Sequence, residues 1–146
     1  MARRSKADEL LDFEISFYEK LLKAYPDFVD ALIPLGDACT RRGLYDKGLA
    51  IDLRLTRLRH SDSVTWYNLA CSYSLLNRLD DALQALRRSI ELGYGDVDYL
   101  LKDPDLRNLR QSQQYRQFLA SFPALLGTKS PPQAPARPSA EPERTN

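Results

Sequence analysis

The sequence predicts an all-α protein: antiparallel helix pairs stacked into a short right-handed solenoid and closed by a C-terminal helical cap. Three observations carry that expectation. Between residues 63 and 94, apolar side chains fall at helical spacing in two runs separated by a short polar turn, with Trp66, Leu69, Ala70 and Tyr73 in the first run and Ala82 and Leu86 in the second. About 34 residues earlier the same frame holds Leu32, Leu35, Gly36 and Cys39, then Gly48. One more step back leaves only the second half of the unit, so the chain carries two complete helix pairs and a single leading helix.

Each element has its own local reason. Residues 1–7 are polar and basic with nothing to bury and are expected to be disordered. From Ala7 or Asp8 to Tyr25, Leu10, Leu11, Ile15, Tyr18, Leu21 and Leu22 recur at helical spacing, and Pro26 stops the run. This helix serves as the amino-terminal cap of the stack. Asp27 is expected to accept the free N–H groups of the next helix, which runs to about Arg42. Pro34 lies inside it, lacks an N–H for the carbonyl of Asp30, and should bend the first turns. Gly43 supplies the turn to a helix over about Tyr45 to Arg59.

Ser61, Asp62 and Ser63 offer caps to the third pair, whose second helix, Leu79 to Leu92, ends at Gly93 and Gly95. Asp96 to Lys102 can form a short helix. Asp103-Pro104 then reads as a capping residue followed by proline in a first helical turn. Leu106, Leu109, Tyr115, Phe118, Phe122 and Leu125 can cover the apolar flank of the last pair. The helical domain is thus expected over residues 8–126. Residues 127–146, with Pro131, Pro132, Pro135, Pro138 and Pro142, are expected to form a disordered tail, because their composition buries too little apolar area to offset ordering.

Composition narrows the function. The 146 residues include 21 basic and 20 acidic side chains, a net charge of +1, which provides no general field for nucleic acid. No long apolar run suggests a membrane span or a signal peptide, so the expected location is cytoplasmic. His60 is the lone histidine, on a loop, and Cys39 and Cys71 belong to no metal-ligand spacing; no metal and no cofactor are expected. No complete set of nucleophile, acid and base is present, nor a glycine-rich phosphate loop, so the protein is not expected to be an enzyme.

The Trp66, Leu69, Ala70, Tyr73, Ala82, Leu86 series resembles the signature of a tetratricopeptide repeat. The phrase from Leu101 to Arg110, with Tyr115, Phe118 and Leu119 after it, is similar to the closing segment of many bacterial tetratricopeptide arrays. The chain departs from the family at Asp52, where an aromatic residue is usual, and at Tyr94, where proline is. Asp52 is expected either to join a local salt bridge, with Arg57 or Arg59, or to leave a looser junction.

The resemblance implies a protein-interaction adaptor that holds a partner peptide or helix in a concave face lined by the first helix of each pair. The family's inner-face positions fall on Asp30, Ile33, Asp37, Thr40 and Arg41, and on Val64, Tyr67, Asn68, Cys71 and Ser74. Tyr67 is either a ligand anchor or packs on the last helices. Ile33 and Asp37 stand where the family's clamp for chaperone tails carries lysine and asparagine, so the acidic pair Asp30 and Asp37 favours a basic or donor-rich ligand instead. The alternative role is a structural subunit that assembles with itself or with a larger complex. The adaptor predicts a monomer, the subunit a concentration-dependent oligomer.

Overall fold

A computed structural model describes residues 4–122, and the expected proline-rich tail lies outside them. Among the described residues every regular element is helical: α1 (Lys6–Ala24), α2 (Val29–Arg42), α3 (Tyr45–Leu58), α4 (Ser63–Leu75), α5 (Leu79–Glu91), α6 (Val97–Lys102), a 3-10 turn (Pro104–Leu106), α7 (Arg107–Arg110) and α8 (Gln113–Ser121). They fall into two compact units that divide between His60 and Ser61.

In the first unit α1 packs on α2, and α2 packs on α3. The helix α1 starts earlier than its apolar spacing suggests. The Ser5 hydroxyl accepts the Asp8 N–H at 3.1 Å, and Arg4 pairs with Asp12 at 2.9 Å, so residues from the expected disordered end are built into the helix cap. Leu11 and Ile15 meet Leu35, Ala38 and Cys39, with Tyr18, Leu22 and Ile51 around them. Arg42 also reaches back to Asp12 at 2.9 Å, and its guanidinium, with that of Arg4, holds the Asp12 carboxyl below the usual carboxylate range.

One local expectation at the start of α2 needs correction. Asp27 is not the cap: Phe28 holds that position without a side-chain hydrogen bond, and Asp27 instead pairs with Arg54 of α3 at 3.3 Å. A cation within reach competes for the carboxylate that a free helix end would otherwise attract. The helix also runs on through Pro34. At its other end Gly43 takes φ 83°, a left-handed conformation that costs a Cβ-bearing residue energy, and the N–H of Leu44 closes the turn onto the Cys39 carbonyl at 2.8 Å.

The α2/α3 contact depends on missing side chains. A Cβ on Gly36 would stand 3.2 Å from Ile51 Cγ2 and 3.3 Å from Asp52 Oδ1; one on Gly48 would stand 3.1 Å from Thr40 Oγ1. Asp52 is therefore buried against the Gly36 face, while Arg57 and Arg59 stay exposed.

In the second unit α4 and α5 form the pair, and the closing segment lies on both. Asp62 caps α4, its two oxygens accepting the Val64 N–H at 3.0 Å and the Thr65 hydroxyl at 3.1 Å. Asn77, at φ 57°, makes the turn into α5. Asp96, Asp103 and Ser112 cap the successive short elements that follow. Leu100, Leu106 and Leu109 are fully buried, and Tyr115 and Phe118 nearly so. Arg110 ties the segment together by donating to the carbonyls of Leu100 at 2.9 Å and Asp103 at 2.6 Å.

Candidate binding surface

The expected inner-face residues divide sharply by burial. On α2, Asp30, Ile33 and Arg41 are exposed and Asp37 is half-buried, and together they form one stripe at helical spacing. Opposite it, Leu32, Leu35 and Cys39 enter the core. Asp37 and Arg41 pair across one turn at 3.7 Å, so the stripe carries one carboxylate beyond its internal pair. Thr40 is buried, its hydroxyl donating to the Gly36 carbonyl at 3.1 Å.

On α4 the outcome differs. Val64 and Asn68 are half-buried, whereas Tyr67, Cys71 and Ser74 are buried beneath the closing segment. Tyr67 is fully enclosed. Its ring stacks on Tyr94 at 4.2 Å between centroids and 12° between planes, and its hydroxyl donates to Asp103 Oδ2 at 2.7 Å. The packing alternative for Tyr67 is thus the one observed, and Tyr94 occupies the family's proline position as its stacking partner. Burial, followed by the nearby Cys71 and Asp103, drives the Tyr67 hydroxyl far above the ordinary tyrosine range. Cys71 donates to the same Asp103 oxygen at 3.6 Å, and Ser74 Oγ accepts the Leu109 N–H at 3.2 Å. The Ser74 carbonyl accepts from the Asn108 side chain at 3.2 Å as well as from the Asn77 N–H at 3.0 Å, which ties the closing segment to the end of α4.

A readable signal for this burial existed. Ser63–Leu75 contains no Asp, Glu, Lys or Arg, and a helix without a charged face is covered on every side. α2, by contrast, carries Asp30, Asp37, Arg41 and Arg42.

The structure also gathers three metal-ligating side chains that sequence spacing kept apart: ligand atoms of Cys71, Asp103 and Asp105 lie within 4.8 Å of one another. Both Asp103 oxygens are already engaged, Oδ1 by the Asp105 N–H at 3.0 Å and Oδ2 by Tyr67 and Cys71. The arrangement is accounted for as the hydrogen-bond network that fixes the turn after α6 to α4. Cys39 is a buried free thiol whose pKa burial raises, which makes it a poor nucleophile. His60 is exposed at the end of the first unit. No helix among the described residues is long and apolar enough to cross a membrane.

Comparisons with known proteins bear mainly on the fold. No family model matches the chain. It is 42% identical over 60 residues, 41% of its own length, to a chloroplastic protein of Arabidopsis thaliana, and that match spans only 18% of the relative. Among solved structures, the crystal structure of MamA superposes with a TM-score of 0.67 at 21% sequence identity, over 86% of this chain and 75% of that one. The described chain therefore has a tetratricopeptide-like helical repeat fold, with all-α antiparallel pairs.

Proposed function

We propose that the protein is an interaction adaptor that holds a peptide or helix of a partner protein against the outward stripe of α2. The observation that supports this reading is the stripe itself. Ile33 offers an apolar contact between the carboxylates of Asp30 and Asp37, on the first helix of a pair, where repeat proteins present their binding residues. A segment with a small apolar side chain flanked by lysine, arginine or free N–H donors complements it. Arg41 offsets part of the negative charge through Asp37 and adds a donor at the end of the stripe.

The test is capture of partners from a lysate of the source cell by the wild type, Ile33→Ala and Asp37→Lys, with circular dichroism as the folding control. The Asp37–Arg41 pair joins a half-buried carboxylate to an exposed guanidinium one turn away on the surface of α2 and contributes about 0.5 kcal/mol, so Asp37→Lys should fold normally. Both variants are expected to lose captured partners. The wild-type capture should weaken as salt rises, because exposed charges are screened. Unchanged capture by both folded variants would remove the α2 stripe as the binding surface.

A further inference from the structure

The helix α1 is apolar on two opposite faces. Leu11 and Ile15 are buried against α2, while Leu10, Phe13 and Phe17 on the far side are 65%, 72% and 51% exposed. At 3.6 residues per turn these three lie along one stripe, which Leu21 and the exposed Ala24 continue. Two phenylalanines and a leucine left open on one face of a helix are not the scattered apolar residues that any surface shows.

The repeat register shows which positions of the other second helices this face corresponds to. Counting forward by about 34 residues, Phe17 falls on Ile51 of α3 and then on Ala85 of α5. Ile51 packs toward Gly36 of its partner helix, and Ala85 is buried in the α4/α5 pair. At Phe17 the stripe thus coincides with the face that a second helix turns toward the first helix of its own pair, whereas Phe13 falls on Lys47 and Asp81, which those helices leave in or near solvent. Glu14, however, stands where α3 has Gly48 and α5 has the buried Ala82. A carboxylate at that small-residue position blocks the close approach of an ordinary first helix, so the occupant must sit over Phe13 and Phe17 instead.

The charges along α1 select the occupant. Glu9 lies in its first half and Lys20 in its second, both exposed, about three turns apart and on the same edge of the stripe. In an antiparallel pair related by a two-fold axis, each edge meets the same edge of the other helix. We infer that α1 pairs antiparallel with α1 of a second copy of this chain, Phe13 of one helix packing against Phe17 of the other and Glu9 meeting Lys20 of the second copy on both sides of the axis. The pairing has the symmetry of an isologous interface, although on the opposite edge the same symmetry sets the exposed Glu14 near Glu14 of the second copy, a like-charge contact that weakens it. From the exposures, Leu10, Phe13 and Phe17 would bury roughly 350 Å² per copy, well under the ~800 Å² per partner of a stable complex, so the dimer is weak and forms only at high concentration. This goes beyond the adaptor reading and uses a different face, so either can fail alone.

Sedimentation equilibrium of the full chain, from micromolar to millimolar concentration, tests the pairing. The wild type is expected to shift from monomer to dimer across that range. Phe13→Glu changes only an exposed position and should weaken association by about tenfold or more, with the melting temperature unchanged. Glu9→Lys and Lys20→Glu should each weaken it by placing like charges together, and the double exchange should restore it, since the pairs re-form with their signs reversed. A chain that stays monomeric at millimolar concentration overturns the inference, as does a dimer that survives Phe13→Glu or a double exchange that fails to recover.

Discussion

Replacing Tyr67 with alanine should nearly unfold the second unit, although its position in the repeat frame marks it as a ligand contact. The ring is fully enclosed and stacked on Tyr94, and its hydroxyl serves the buried carboxylate of Asp103. Truncating a large aromatic residue in a core costs about 3–5 kcal/mol. A hydrogen bond to a charged group contributes about 1.5–3 kcal/mol. Stacking beyond area adds about 0.5–1.5 kcal/mol. These overlap, and a loss of about 5 kcal/mol is the working figure, against a total of about 5–15 kcal/mol for a domain of ordinary stability.

Tyr67→Phe keeps the ring and removes only the donor. It should cost about 2 kcal/mol and lower the melting temperature by about 10 °C. Urea and thermal denaturation followed by circular dichroism give both numbers. Combining Tyr67→Phe with Asp103→Asn then isolates the pair, whose coupling should be about 1–2 kcal/mol. If Tyr67→Ala melted with the wild type, as an exposed groove residue would, the placement of the closing segment over α4 would be wrong. If the two single changes simply added, the hydroxyl and carboxylate would not be partners.

The remaining predictions use the same core. Burial pushes the hydroxyls of Tyr67, Tyr94 and Tyr115 above the ordinary 10.0. Below about pH 10 both states keep these protons and their contribution is complete; above it the unfolded chain ionises first. Stability should therefore fall by about 1.4 kcal/mol per pH unit for each of Tyr67 and Tyr94, whose shifts are large, with Tyr115 acting in the same direction. Urea midpoints on either side of pH 10 measure this, and a Tyr67→Phe slope no shallower than wild type would contradict it. Ala70 is fully buried at the α4/α5 contact, the position Gly36 holds in the preceding pair. Ala70→Leu should lose about 1–3 kcal/mol by overpacking, and wild-type melting by that variant would refute the repeat register.

The amino-acid sequence by itself determined the helices, their pairing and the length of the repeat. Those features rest on local chemistry: apolar spacing for α1 to α5, Gly43 for the left-handed turn, and Asp62 and Asp103 for two of the helix starts. Repeat positions assign the outward residues of α2, and the charged side chains among them are of the kind that leave only one face to bury. Cap assignment was less secure. Asp27 was taken by Arg54, a residue far along the chain, and Ser5, in the end expected to be disordered, caps the first helix beside the Arg4–Asp12 pair.

What only the tertiary structure decided is which face of α4 remained open. Repeat positions assign Tyr67, Cys71 and Ser74 to a binding groove, but positions within a repeat do not say what a segment 30 residues away will cover. The closing segment lies on that helix, Asp103 collects the Tyr67 hydroxyl and the Cys71 thiol, and Leu109 takes the Ser74 oxygen. Three ligand candidates become core because contacts between distant residues outweigh local register. The open stripe of α1 arises in the same way. Its two apolar faces are both legible in the sequence, yet spacing alone does not distinguish the face that α2 covers from the face left for a second molecule.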